Sequence, residues 1–151
     1  MFAIIRHADA GDREAWTGDD RLRPLSRRGH RQVRRLVAEL SGWPLERVLS
    51  SPYRRCVQTV EPLAVPRGLA VEPAAALAEG ADLDDTLTLL RRLGGWTAAL
   101  STHGDVVLNL CQYLVGLRLI SQADVAGQKG SVWVLEESGG DLTAAHYLPI
   151  R

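Results

Sequence analysis

Lysine is nearly absent from this sequence: Lys129 is the only one in 151 residues, against seventeen arginines. Arginine is the better fork for phosphate and carboxylate groups, although high-GC codon usage produces the same bias. Net charge is also lacking. Eighteen basic and eighteen acidic side chains cancel, so no global field points to nucleic acid or to a membrane surface as partner. Two cysteines, Cys56 and Cys111, are too few for a disulfide framework, and both fall on apolar helix faces, which predicts buried free thiols. No apolar run approaches the ~20 residues needed to span a bilayer. The opening run is too short for a secretory signal and lacks a basic leader, so a cytoplasmic location is expected. There is no Gly-rich phosphate loop of the Walker type, which argues against a nucleotide kinase. What remains is ordinary, with 46% apolar and 24% charged residues. A chain of this size and composition is expected to form one domain over residues 1–151 with a proper core.

The elements follow from periodicity. Phe2–Ile5 has the length and β-branched character of a buried strand and ends abruptly at Arg6-His7. Asp12 to Pro24 is polar and aperiodic, a loop that can lie over the strand end. Ser26 caps a helix carrying Val33, Leu36, Val37 and Leu40, closed by Gly42 and Pro44. Arg47–Ser50 is a second strand. Ser51-Pro52 has the form of a helix start, with a hydroxyl cap and proline at the first position; Pro62 ends or kinks that helix. Leu69–Glu72 is a weaker strand. Asp82 caps a helix bearing Leu83, Leu87, Leu90 and Leu93, and Thr97–Ser101 is another buried strand ending in Thr102-His103-Gly104-Asp105. A helix through Val107, Leu110, Cys111 and Leu114 comes next. Ser131–Leu135 and Leu142–Tyr147 then form a hairpin around Gly139-Gly140. The order βαβαβαβα and then ββ predicts an α/β three-layer sandwich: a mostly parallel central sheet, helices on both faces and a C-terminal β-hairpin.

In such a sheet, ligands bind beyond the carboxyl ends of the parallel strands. Arg6-His7 follows the first strand, Arg54-Arg55 opens the helix after the second, and His103 follows the Thr97–Ser101 strand, so parallel order brings them to one end. The chemistry they fit is phosphoryl transfer through a histidine. A neutral imidazole attacks phosphorus, and fixed positive charge holds the equatorial oxygens throughout. Arg6 and one of Arg54 or Arg55 can supply bidentate donors, His103 a further hydrogen bond, and Glu79 is the nearest loop acid for the leaving group. Asp82 and Asp105 are rivals for that role, the first better read as a helix cap and the second as an acid favoured by a helix dipole.

The segments Arg6-His7-Ala8, Ser50-Ser51-Pro52-Tyr53-Arg54-Arg55-Cys56-Val57-Gln58-Thr59 and Thr102-His103-Gly104 resemble the signatures of the histidine phosphatase superfamily, which also holds the phosphoglycerate mutase relatives. Arg23-Pro24-Leu25-Ser26 with Gly29 is similar to a segment of the SixA-type phosphohistidine phosphatases. Gly18–Leu25 and Lys129–Leu135 resemble the phosphatase-like domain found behind a Nudix domain in some nucleotide hydrolases. The resemblance covers essentially the whole chain. It implies that His7 carries the phosphoryl group and that Arg6, Arg55 and His103 form its pocket. It selects Arg55 over Arg54, because the family arginine immediately precedes the run occupied here by Cys56-Val57-Gln58-Thr59. Glu79 sits where many relatives have their acid, whereas SixA-type proteins lack it. A phosphohistidine leaving group needs less proton assistance than an alkoxide.

The leading expectation is therefore a metal-independent phosphatase acting through phosphohistidine on His7, SixA-like, with protein phosphohistidine as substrate. A small-molecule phosphatase for nucleotides or sugar phosphates is the alternative, and a non-catalytic phosphate-binding module the third. A mutase would need more enclosure than this short chain provides. Arg23 is carried as a substrate-binding candidate, Arg21 and Lys129 as surface charge. No cofactor is expected, nor a metal on His7, Asp9 and His103, since Arg6 and Arg55 beside them make a dication costly.

Overall fold

A computed structural model describes residues 1–150. Ten principal elements succeed one another: β1 (Phe2–Arg6), α1 (Arg27–Glu39), β2 (Arg47–Ser50), α2 (Arg54–Ala64), β3 (Val71–Pro73), α3 (Leu83–Arg92), β4 (Ala98–Thr102), α4 (Gly104–Gly116), β5 (Val132–Ser138) and β6 (Asp141–Leu148). The strands form one sheet in the order β3-β2-β4-β1-β5-β6. β3, β2, β4 and β1 run parallel, while β5 is antiparallel to β1 and β6 to β5. This is the three-layer arrangement the residue order predicts.

Side-chain alternation explains the layers. Phe2 and Ile4 of β1 enter one core with Leu100, Leu87, Leu90, Leu110 and Leu114, under α3 and α4. Ala3 and Ile5 enter the opposite core with Leu36, Leu40, Val60 and Leu63, under α1 and α2. A strand covered on both faces reads as a continuous apolar run rather than an alternating one. Among the described residues no helix is long and apolar enough to cross a membrane.

Four local expectations are corrected. The third strand is only three residues long and begins at Val71, because it is the sheet edge and pairs with β2 alone. Helix α2 begins at Arg54 rather than at Pro52; Tyr53 holds the cap position without a side-chain bond, and the Ser51 hydroxyl is engaged elsewhere. The same helix runs through Pro62 to Ala64, held by buried Val60, Leu63 and Ala64 despite the missing amide. Asp82 does precede α3, but its carboxylate makes no cap bond. Ser26 caps α1 as expected, its Oγ accepting from the Gly29 amide at 3.1 Å, and Cys56 and Cys111 are buried free thiols.

One glycine ties the fold to the strand end. The first turn of α1 packs so closely on the loop after His7 that a methyl group at Gly29 would overlap the Asp9 carbonyl oxygen. That carbonyl also accepts from the Ser26 amide at 2.9 Å. The helix start thereby fixes the path of the chain leaving β1.

Candidate active site

Backbone pairing sets the ends of β1, β2 and β4 at one level. Arg6 lies opposite Thr102 and Ser50 opposite Ser101. Just beyond, the His7 amide donates to Thr102 O and the Ser51 amide to Ser101 O, both at 2.9 Å. His7, Ser51 and His103 therefore leave the sheet side by side, as expected at the carboxyl ends of parallel strands.

His7 is buried, and its Nδ1 stands 2.8 Å from the Ala8 carbonyl oxygen. A carbonyl only accepts, so Nδ1 carries the proton and the Nε2 lone pair is the ring's acceptor, taking a long hydrogen bond from Arg55 Nε. Arg55 Nε lies 3.4 Å from that Nε2. Burial pushes the His7 pKa down to about 3; the bond to Ala8 opposes it, and the charge of Arg55 adds to it. The imidazole is therefore neutral, the form in which nitrogen can attack.

His103 packs edge-on to His7, with ring centroids 5.5 Å apart, and edge-on to Tyr53 at 4.7 Å. Its Nε2 is 2.8 Å from Ser51 Oγ and 3.5 Å from Cys56 Sγ. Ser51 Oγ already accepts from the Tyr53 amide, so its own proton is best placed on His103 Nε2. That leaves the imidazole hydrogen on Nδ1, which is buried without a partner. Burial and Arg55 also lower the His103 pKa, to about 4. Burial has the opposite effect on Cys56, pushing the thiol up to about 12 and keeping it protonated.

Two arginines complete the group. Arg6 Nη1 donates to Gly127 O at 2.6 Å, while its buried Nε has no partner. The guanidinium is clamped against the first residue of α4, where a Cβ on Gly104 would come within 2.8 Å of Arg6 Cζ. Arg55 is fully buried, whereas Arg54 is exposed. Arg55 donates to the Asp20 carbonyl at 2.8 Å and to Asp20 Oδ2 at 3.0 Å, and it lies over the Tyr53 ring at 5.1 Å. Buried polar donors without partners are uncommon in folded proteins. Here Arg6 Nε and His103 Nδ1 are two such donors in the group around the His7 ring, a set suited to an anion.

Glu79 joins this group at its rim. Its Oε2 is 3.9 Å from Arg55 Nη2 and its Oε1 accepts from Arg13 at 2.6 Å. Asp105 does not compete; its Oδ2 accepts from the Gly80 amide at 2.7 Å and anchors the loop that carries Glu79. Asp82 stays at the start of α3. Arg23 is not placed as a substrate contact. It is buried, with Nε on Asp20 Oδ1 at 2.9 Å and Nη1 on the carbonyls of Ala10 and Gly11, so it reaches Arg55 only through Asp20. Its Nε and Nη1 donors hold the loop. Among the described residues, no three His, Cys, Asp or Glu side chains converge as a metal set.

Several contributors are not singled out by sequence reasoning. Asp20 locks Arg55 and Arg23 together; against the upward pull of burial, those two bonds hold its carboxyl below the usual range. Thr59 Oγ1 accepts from the Ala8 amide at 3.0 Å and Gln58 Oε1 from the Leu25 amide at 2.8 Å. The Gln-Thr pair of the second motif thus holds the loop after His7 and the segment before α1. A hint for Asp20 lay in its spacing from Arg23, three residues along in a polar loop.

With this geometry in place, comparison with known proteins gives a family. Residues 2–86 match the model of the histidine phosphatase superfamily (branch 1), and the chain belongs to that superfamily. The chain is 33% identical over 150 residues to an 8-oxo-(d)GTP phosphatase of Mycolicibacterium smegmatis, covering 96% of this chain and 47% of that protein. The chain thus spans about half the length of that relative. Among solved structures it is similar to the protein histidine phosphatase SixA complexed with tungstate, with TM-score 0.74, 24% identity, and 97% and 93% of the two chains covered. It is also similar to the SixA protein of Agrobacterium tumefaciens, with TM-score 0.77, 19% identity and 96% of each chain covered. These likenesses establish the fold.

Proposed function

We propose that the protein is a metal-independent phosphatase that transfers a phosphoryl group to Nε2 of His7 and then to water, acting on a small phosphate ester. The observation that carries this reading is the neutral His7 ring, its Nε2 lone pair held only by a long 3.4 Å bond from Arg55 Nε, in a group whose Arg6 Nε and His103 Nδ1 are unpartnered donors. In the first step the Nε2 lone pair forms a bond to phosphorus. The bond to the leaving oxygen breaks, and that oxygen takes a proton from the carboxylic acid form of Glu79. In the second step water attacks phosphorus, its proton returns to Glu79, and the P–N bond breaks to release inorganic phosphate. Arg6, Arg55 and His103 hold the equatorial oxygens in both steps. Arg23 acts through Asp20 as a positioning residue for Arg55.

Glu79 decides between substrate classes. Its place at the rim, 3.9 Å from Arg55, favours an alkoxide leaving group over an imidazole. The relative named as an 8-oxo-(d)GTP phosphatase supports nucleotides among such esters. Protein phosphohistidine is the second reading, supported by the short loop of residues 12–23, which leaves the rim open to a macromolecule. Glu79→Gln separates them. For an alkyl phosphate or nucleoside monophosphate, kcat should fall roughly 100- to 1,000-fold, the range of a lost general acid. For a phosphohistidine peptide the fall should stay under about tenfold. Equal, small effects on both remove Glu79 from the mechanism, and sensitivity of either activity to EDTA argues against metal independence.

Arg55→Lys tests the phosphate clamp. Lysine keeps the charge but not the planar fork that meets Asp20 and a phosphoryl group together. A fall in kcat/KM of about 100-fold or more is expected with vanadate inhibition weakened in step, the scale of a lost transition-state donor. Near-wild-type turnover would place the phosphoryl group elsewhere.

A further inference from the structure

Beside the site lies a second, separately built concavity of about 630 Å³, open to solvent, between α1 and the segment before β5. Its polar walls are Arg28, Arg31, Gln32 and Arg35 from α1, with Asp9 and Lys129 facing them. Four cations against one carboxylate leave a net charge of three positive. The carboxylate is already engaged: Asp9 accepts from Ser26 Oγ at 2.6 Å and from the Gly11 amide, and lies 3.4 Å from Lys129. Among the described residues no ion pair reaches Arg28, Arg31 or Arg35.

Folding alone gives no reason for this arrangement. Helix α1 carries Arg27, Arg28, Arg31, Arg34 and Arg35 against the single acid Glu39, in a chain whose net charge is zero. Its first turn has no acidic residue and two arginines, the reverse of what the helix dipole favours. Arg28, Arg31 and Arg35 recur at spacings of three and four, where like charges repel along one face. A codon bias toward arginine explains arginine in place of lysine. It does not explain five cations on one helix with their acids elsewhere.

The pocket also shares its wall with the active site. Asp9 lies two residues beyond His7, so their Cα atoms are within about 7 Å. On the other side, Lys129 precedes Gly130, whose amide donates to the carbonyls of both Arg6 and His7 at 3.1 and 3.2 Å. We propose that this pocket is a second anion site that takes the di- or triphosphate group of a small ligand, held by Arg28, Arg31, Arg35 and Lys129. It rests on the phosphatase reading only in that a polyphosphate-bearing substrate would then be gripped at two adjacent places. A free polyphosphate acting as effector has the same chemistry.

Inorganic tripolyphosphate is the probe, titrated calorimetrically into the full chain at low salt. Two sites per chain are expected, both weakening as salt rises. The double substitution Arg31→Ala/Arg35→Ala should cost one of them roughly tenfold or more in affinity while leaving the other, as should Lys129→Ala from the opposite wall. Both helix positions are exposed and relieve like-charge repulsion, so the melting temperature should hold or rise. One site in the wild type, two sites indifferent to all three substitutions, or binding of poly-glutamate where tripolyphosphate does not bind, overturns the proposal. Kinetics separate the two sources. A KM raised for a nucleoside triphosphate but not its monophosphate marks the substrate's own tail, whereas loss of the second site with both KM values unchanged marks an effector. A wild type that releases no phosphate from any ester refutes the phosphatase reading, while the titration still counts the sites.

Discussion

Replacing His7 with asparagine is expected to lower phosphate release by about four orders of magnitude or more, the scale on which covalent catalysis collapses when its nucleophile is removed. Asparagine is the informative choice because its amide can still donate to Ala8 O, the bond that now orients the ring. The pocket keeps Arg6, Arg55 and His103, so a phosphate analogue such as vanadate should still bind within about tenfold. Binding retained with turnover lost is the signature of a missing nucleophile rather than of a collapsed site. In the wild type, rapid acid-free quenching with labelled substrate should trap a phosphoramidate, stable to base and labile to acid. The variant should trap none. Turnover above about one per cent of wild type in the asparagine variant would falsify attack by His7.

Much of this site was legible because its parts are local. Phe2–Ile5 has the length and β-branched character of a buried strand, and the residues directly after such a strand in a parallel sheet fall at the ligand-binding end. Gly29 was visible as a motif residue, and the close approach of α1 to Asp9 supplies its reason. Hidden from sequence is whatever depends on where a loop lands. Ser51 has the form of a helix cap in sequence, yet α2 starts later and the hydroxyl turns to His103, because the strand end carries both residues to one level. Arg23 is a loop arginine by sequence; burial makes it an anchor for Asp20, and no local pattern announces that Asp20 meets Arg55, thirty-five residues away. The same reason hides the basic pocket, whose two walls are about a hundred residues apart in the chain. Lys129 is unremarkable until Arg28, Arg31 and Arg35 stand opposite it.

The neutral histidines have a consequence for stability that is as large as their consequence for catalysis. His7 and His103 have folded pKa values of about 3 and about 4, against about 6.5 in an unfolded chain. Their folded values lie below the unfolded one, so between those limits the unfolded state binds more protons. Stability is then complete above pH 6.5 and falls as the pH drops through the window toward 4. Down to pH 5 the size of the loss depends only on the unfolded value, because both folded values lie lower still. Two extra protons taken up over about 1.5 pH units cost on the order of 4 kcal/mol between pH 7 and pH 5, a large share of the ordinary 5–15 kcal/mol. The depressed carboxyls of Asp9, Asp20 and Glu72 push the same way but act only below about pH 4.5, where their unfolded forms begin to protonate. Urea midpoints at pH 7, 6 and 5 should therefore fall steeply in the wild type and only slightly in a His7→Asn/His103→Asn double variant. A flat wild-type profile over that range would mean that the two rings are charged in the folded protein, and the lone pair assigned to Nε2 of His7 would not exist. The acid limb of activity obeys the same numbers: folded enzyme keeps its imidazoles neutral at pH 5, so turnover there should be lost in step with folded population, with no separate ionisation near pH 6.5.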